Sequence, residues 1–160
     1  MWEAAYPFFE WHNSSWLGTK ISGSIWLFPF IETIHILAMA VMFGALLVLN
    51  LRLLGLGMTR QTLPMLAKTL MPFANWGAGI MLLTGYAMFS SEALKCYAND
   101  GFKFKMASLF VVLLFQYTLY RWMLKKEDNQ RSTVFSGLAA ILNMLLWFCV
   151  GAGGRAIGFV

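Results

Sequence analysis

The chain has 160 residues, of which 59% are hydrophobic and 12% charged, with a net charge of +5. Soluble domains carry roughly 25% charged residues, and four long apolar runs in this length leave little chain for a separate soluble domain. The positive excess lies beside those runs, where it orients a membrane protein rather than marking a nucleic-acid partner. In chain order, residues 1–23 come first, with Trp2, Tyr6, Phe8, Phe9, Trp11 and Trp16 among few charges. Such aromatics settle at the headgroup level, so an interfacial N-terminal segment is expected. Its acidic, aromatic start lacks the basic opening of a secretory signal, and no cleaved signal is read.

Residues 24–160 are then expected to form four transmembrane helices. Stretches 33–51, 69–91 and 132–154 carry no charged side chain, and each approaches the ~20 residues that cross a ~30 Å hydrocarbon core. The run 106–120 is shorter, but Lys103, Lys105 and Arg121 at its ends can snorkel outward. The first span is predicted from Ser24 or Pro29 to Leu54, closed by Gly55 and Gly57. The second runs over 69–90, the third over 104–124 and the fourth over 133–157. The fold class is therefore all-α, an integral membrane four-helix bundle.

Orientation follows from the loops. The loop after the first span has Arg52, Arg60 and Lys68 without an acid, and that after the third has Arg121, Lys125, Lys126 and Arg131 against Glu127 and Asp128. The positive-inside rule places both loops in the cytoplasm and both termini outside, which in a bacterial inner membrane is the periplasm. Ala74/Ala78, Gly44, Gly85 and Gly151–Gly154 thin helix faces, as bundle packing or oligomer contacts require. Cys96 and Cys149 have no metal-ligand spacing, and a loop cysteine is not expected to pair with one inside a span.

The exception to the uncharged spans is Glu32-Thr33-Ile34-His35. A carboxylate and an imidazole one turn apart in a membrane helix cost several kcal/mol, so a function is expected of them. In the predicted orientation Glu32 and His35 lie in the outer half of the first span. Lys105 opens the third span and Arg155 closes the fourth at the same level, near Tyr86, Tyr97, Asn99 and Asp100. Met39 and Met42 continue the His35 face, a stripe suited to Cu(I) or to plain packing. Glu32-x-x-His35 is half of a di-iron helix motif, but no second span supplies the rest. Asn50, Asn75, Gln116 and Asn143 read as interhelical hydrogen-bonding amides.

The run His35…Gly44…Leu51-Arg52, with Asn99-Asp100-Gly101-Phe102 ahead of Lys105, resembles the HemJ-type and CopD-type bacterial membrane proteins. The segments Ile31–His35 and Gly154–Ile157 extend the likeness, which covers about residues 24–158. HemJ-type proteins are haem-binding porphyrinogen oxidases and CopD-type proteins take part in copper handling. The resemblance implies haem b with His35 as a ligand and Lys105 close by. Charge-assisted hydrogen bonds from Lys105 and Arg155 would hold the propionates, and Glu32 would orient the imidazole. His12 is the one other histidine, hence the candidate second metal ligand. Met, Lys, a neighbouring subunit or an open position are the alternatives. The expected role is redox or electron transfer, with oxidation of a porphyrinogen as an enzymatic variant. The alternatives are copper(I) or proton transport along His35, Met39 and Met42, and a structural subunit without cofactor. Expected partners are the lipid bilayer, a redox partner, and a second copy or a larger membrane complex.

Overall fold

The computed structural model describes residues 6–126 and 132–157. Trp2 and the loop charges Glu127, Asp128 and Arg131 lie outside the described residues. Among the described residues every regular element is helical. Two short helices, α1 (Tyr6–Ser14) and α2 (Trp16–Ser22), precede a long α3 (Leu27–Leu53) and α4 (Leu63–Ser91). A connecting α5 (Ala93–Ala98) leads to α6 (Asp100–Phe115), which passes through a π-helical turn at Gln116–Tyr120 into α7 (Arg121–Leu124). The last helix is α8 (Thr133–Ile157).

Local chemistry sets the boundaries. Ser15 caps α2 by accepting from the Gly18 amide at 3.1 Å, and Asn99 caps α6 by accepting from the Phe102 amide at 3.3 Å. Gly55, at φ +75°, takes the left-handed conformation that ends α3. Helix α4 begins six residues before the predicted 69, because Pro64 fits the first helical turn and starts the helix in the basic loop.

Among the described residues, three helices are long and apolar enough to cross a membrane: Leu27–Leu53, Asp100–Leu124 and Thr133–Ile157. Helix α4 is equally long, but Pro72, Asn75 and its three glycines dilute its apolar character. Outward-facing residues such as Phe110 and Phe148, each 71% exposed, leave apolar faces that call for lipid rather than water.

The long helices pack as two pairs, α3 with α4 and α6 with α8, and the pairs meet chiefly where α3 touches α8. Glycine permits close approach within both pairs. A Cβ at Gly77 would sit 2.8 Å from the Ala38 carbonyl oxygen, and one at Gly153 would sit 3.0 Å from Lys105 Cβ. Ala74 and Ala78, the predicted small-residue pair, are buried in the same core as Met42, Leu46 and Leu49.

The predicted interfacial segment is folded. Helix α1 packs against α5 and α2 against α4, burying Phe9, His12, Gly18 and Ile21 while Trp11 and Trp16 remain outward. The amides form the expected interhelical links. Asn50 Nδ2 donates to Asn143 Oδ1 at 3.1 Å and Asn143 Nδ2 to Gln116 Oε1 at 2.6 Å. Tyr120, at the end of the π turn, donates to Asn50 Oδ1 at 2.7 Å.

Candidate functional site

Beyond the α3–α8 contact the two helix pairs separate toward the α1–α2 end, and two adjoining cavities open between them. One, of about 510 Å³, is lined by Glu32, His35, Met39, Lys105 and Arg155. The four residues predicted to bind a cofactor are thus brought to one cavity. The other, of about 520 Å³, lies toward α4 and α6 and has a largely apolar lining that includes Met42, Leu109 and Leu113. Eight residues line both, among them His35, Met81, Phe89, Phe102, Lys105 and Trp147.

His35 is held by a residue that the charge pattern did not reveal. Its Nδ1 lies 2.8 Å from Thr84 Oγ1 on α4, and Thr84 Oγ1 donates to the Ile80 carbonyl at 2.7 Å. A threonine hydroxyl has a single proton. With that proton directed to Ile80, the oxygen accepts from His35 Nδ1–H, which leaves the Nε2 lone pair for another partner. The Met81 carbonyl is a further acceptor beside the ring, and no side chain among the described residues donates to Nε2. Gly85 makes room for the ring, since a Cβ there would meet His35 Cε1 at 3.4 Å. The Thr84-Gly85 step is an audible signal only once α4 is known to face His35.

Lys105 lies along the bare backbone of α8, and a Cβ at Gly154 would be 3.4 Å from Nζ. The ion pairs formed wholly among the described residues are Lys95–Glu92 and Lys103–Asp100, both at 2.6 Å, so Lys105 stands in the cavity wall without an anion. Glu32 is exposed and is locked to neither Lys105 nor Arg155 in an ion pair. Trp147 Nε1 is buried with no hydrogen-bond partner among the described residues, an arrangement that native interiors rarely leave unexplained. Trp147 had not stood out among the seven tryptophans of the chain.

The second histidine goes elsewhere. His12 Nδ1 donates to the Phe8 carbonyl at 2.9 Å, and its Nε2 accepts from Tyr86 Oη at 3.2 Å. Both ring nitrogens are used and His12 lines neither cavity, so the structure does not bring the two histidines into a common ligand set. The physical reason is the folding of α1, whose aromatic face packs His12 against Phe89 and Tyr86. Met39 and Met42 part in the same way, one to each cavity.

No group of three or more His, Cys, Asp or Glu is placed to hold a metal ion among the described residues. Cys96 of α5, at the edge of the His35 cavity, is a free thiol whose pKa burial pushes up to about 11, and Cys149 is also free.

The profile of a family of unknown function (DUF6644) matches residues 8–160. The chain belongs to the DUF6644 family. No curated protein and no solved structure matches it. The matched span begins inside α1 and runs through α8, so most of the N-terminal helical segment is part of what the family shares with this chain.

Proposed function

We propose that α3, α4, α6–α7 and α8 all cross the bilayer, and that this chain binds haem b in its outer half for a redox or electron-transfer role. The reading rests first on His35. Thr84 takes its Nδ1–H, so Nε2 is the nitrogen left for iron, and ligating histidines use their second nitrogen in this way. A cavity of about 510 Å³ lies within the range of small-molecule and cofactor sites, roughly 300–1,000 Å³.

Haem, when bound, supplies one-electron redox chemistry. The residues around it bind and orient. Lys105 and Arg155 would hold the propionates, and the Lys105 ammonium has no competing anion to give up. Glu32, at the same rim, orients the cations or tunes the imidazole. Phe89 and Phe102 exclude water from the outer end. Porphyrinogen oxidation is the enzymatic variant of the same site.

The test is the absorbance spectrum of the detergent-purified protein from a haem-replete host. A Soret band with dithionite-sensitive α and β bands supports the reading. His35→Ala should remove those bands while the protein still inserts, because the change makes α3 more apolar. Full haem occupancy in the mutant would overturn the assignment of His35.

Met39, Met81 and Met88 line the His35 cavity and favour copper(I) as a second reading. Colourless protein containing stoichiometric copper would establish it in place of haem. Colourless, metal-free protein would leave a structural subunit.

A further inference from the structure

The cavity on the α4–α6 side has a different character from its neighbour. Leu82 on α4 and Met106 on α6 line it while remaining 45% and 46% exposed. Helices α4 and α6 do not pack closely there, so the mouth opens sideways, through faces that lipid would cover. At the outer end it is closed. Phe89 and Phe102 stack across the two helices at 5.3 Å and 12°, and Phe9 of α1 sits edge-on to Phe89 at 5.5 Å. A molecule entering this space comes from the bilayer.

The lining says what such a molecule carries. Lys105 lines this cavity as well as its neighbour, and its ammonium, beside Gly154 on the α8 side, has no ion-pair partner among the described residues, so a ligand that reaches it needs an acceptor at that level. Phe89, Phe102 and Met81 surround the same level with flat or polarizable surfaces, which suit a planar ring rather than an acyl chain. Below it, Leu109 and Leu113 continue the apolar wall. From Lys105 to Leu113 is about 12 Å along α6 at ~1.5 Å per residue, room for the first part of a hydrocarbon tail.

We infer that the cavity between α4 and α6 binds an isoprenoid quinone or quinol, entering laterally from the membrane. Its ring oxygen accepts from one of the three N–H donors of Lys105 Nζ, leaving the others for a propionate in the adjoining cavity, and its tail runs along Leu109 and Leu113. This site does not depend on the haem reading, although His35, Lys105, Met81, Phe89, Phe102 and Trp147 form a wall common to both cavities. A lipid-soluble electron carrier beside a haem would supply the redox partner that the haem reading requires.

The experiment is photolabelling of the purified full-length protein with a diazirine-bearing ubiquinone analogue, followed by peptide mapping. Label should concentrate in residues 81–89 and 102–113. Decylubiquinone should compete for it, and oleate should not. Leu109→Trp fills the cavity and should reduce competed labelling at least fivefold, as should Ala78→Phe from the opposite wall. Gel filtration and circular dichroism identify whichever variant folds. Lys105→Met should reduce labelling while leaving the tail wall intact. Label scattered over lipid-facing surfaces, equal competition by oleate, or undiminished labelling in a folded filled variant would each overturn the inference. Haem-loaded protein without competed labelling defeats this inference alone. Colourless protein with competed labelling defeats the haem reading alone.

Discussion

At the scale of single residues, the site depends on how hydrogen bonds divide the two nitrogens of His35. Thr84→Val keeps the shape of the side chain and removes the oxygen that accepts from Nδ1–H. The imidazole then loses its fixed tautomer, and outer partners of this kind are worth about 10–100-fold in ligand affinity. Haem titration of the apoprotein should show a loss of that size with unchanged folding. Wild-type affinity would remove the tautomer argument. Glu32 separates a tuning role from a helix staple. It is exposed and makes no ion pair among the described residues, so Glu32→Gln strands no buried cation. The expected result is an unchanged melting temperature together with an altered pH dependence of the cofactor potential. A marked fall in stability rescued by Arg155→Gln would establish the staple instead.

At the scale of elements, the half of the bundle away from α1 and α2 is tied by amides rather than charges. Asn143 is fully buried and bridges α3 to the π turn through Asn50 and Gln116. Asn143→Leu leaves the Asn50 amide and the Gln116 oxygen without partners. The expected loss is about 1–2 kcal/mol, read as a lower melting temperature, because interhelical hydrogen bonds in membranes are weaker than burial alone suggests. Adding Gln116→Leu should restore part of it, and any cofactor spectrum should not move. The long helices were legible from the absence of charge, and α8 falls on its predicted bounds, Thr133–Ile157. The start of α4 was not, since Lys68 sits on a helix that Pro64 had already begun. The folding of α1 and α2 was also hidden. Their aromatics suit a membrane surface equally well, and only the contacts of Phe9 and Gly18 with α4 and its neighbours decide where they lie. The convergence of Glu32, His35, Lys105 and Arg155 was readable from depth along each helix. Thr84 and Trp147 were not, because their roles depend on rotation about the helix axis, which an apolar sequence on all sides does not encode.

At the scale of the whole molecule, the orientation decides which side of the membrane the cavities serve. The chain in and around the α3–α4 and α7–α8 connections holds Arg52, Arg60, Lys68, Arg121, Lys125, Lys126 and Arg131, against Lys20, Lys95, Lys103, Lys105 and Arg155 elsewhere. Seven basic residues against five is a narrow bias, but Lys105 lies in a cavity wall and Lys95 and Lys103 are each held by a neighbouring carboxylate. Acidic residues weigh little in the positive-inside rule, so the carboxylates do not cancel those lysines; they only show that the outer positive charge is locally compensated. The cytoplasmic assignment rests on the seven-to-five count, with Arg52, Arg60 and Lys68 grouped around the α3–α4 connection. In a Cys96→Ser, Cys149→Ser background, Lys20→Cys should react with a membrane-impermeant maleimide in intact cells, and Arg60→Cys should react only after the membrane is opened. Both positions are exposed, so protection at 60 would report the bilayer and not burial in the fold. Labelling of 60 with protection of 20 would invert the molecule and present the His35 cavity to the cytoplasmic leaflet. The quinone mouth between α4 and α6 would then open there as well, since both cavities lie toward the same end of the helices.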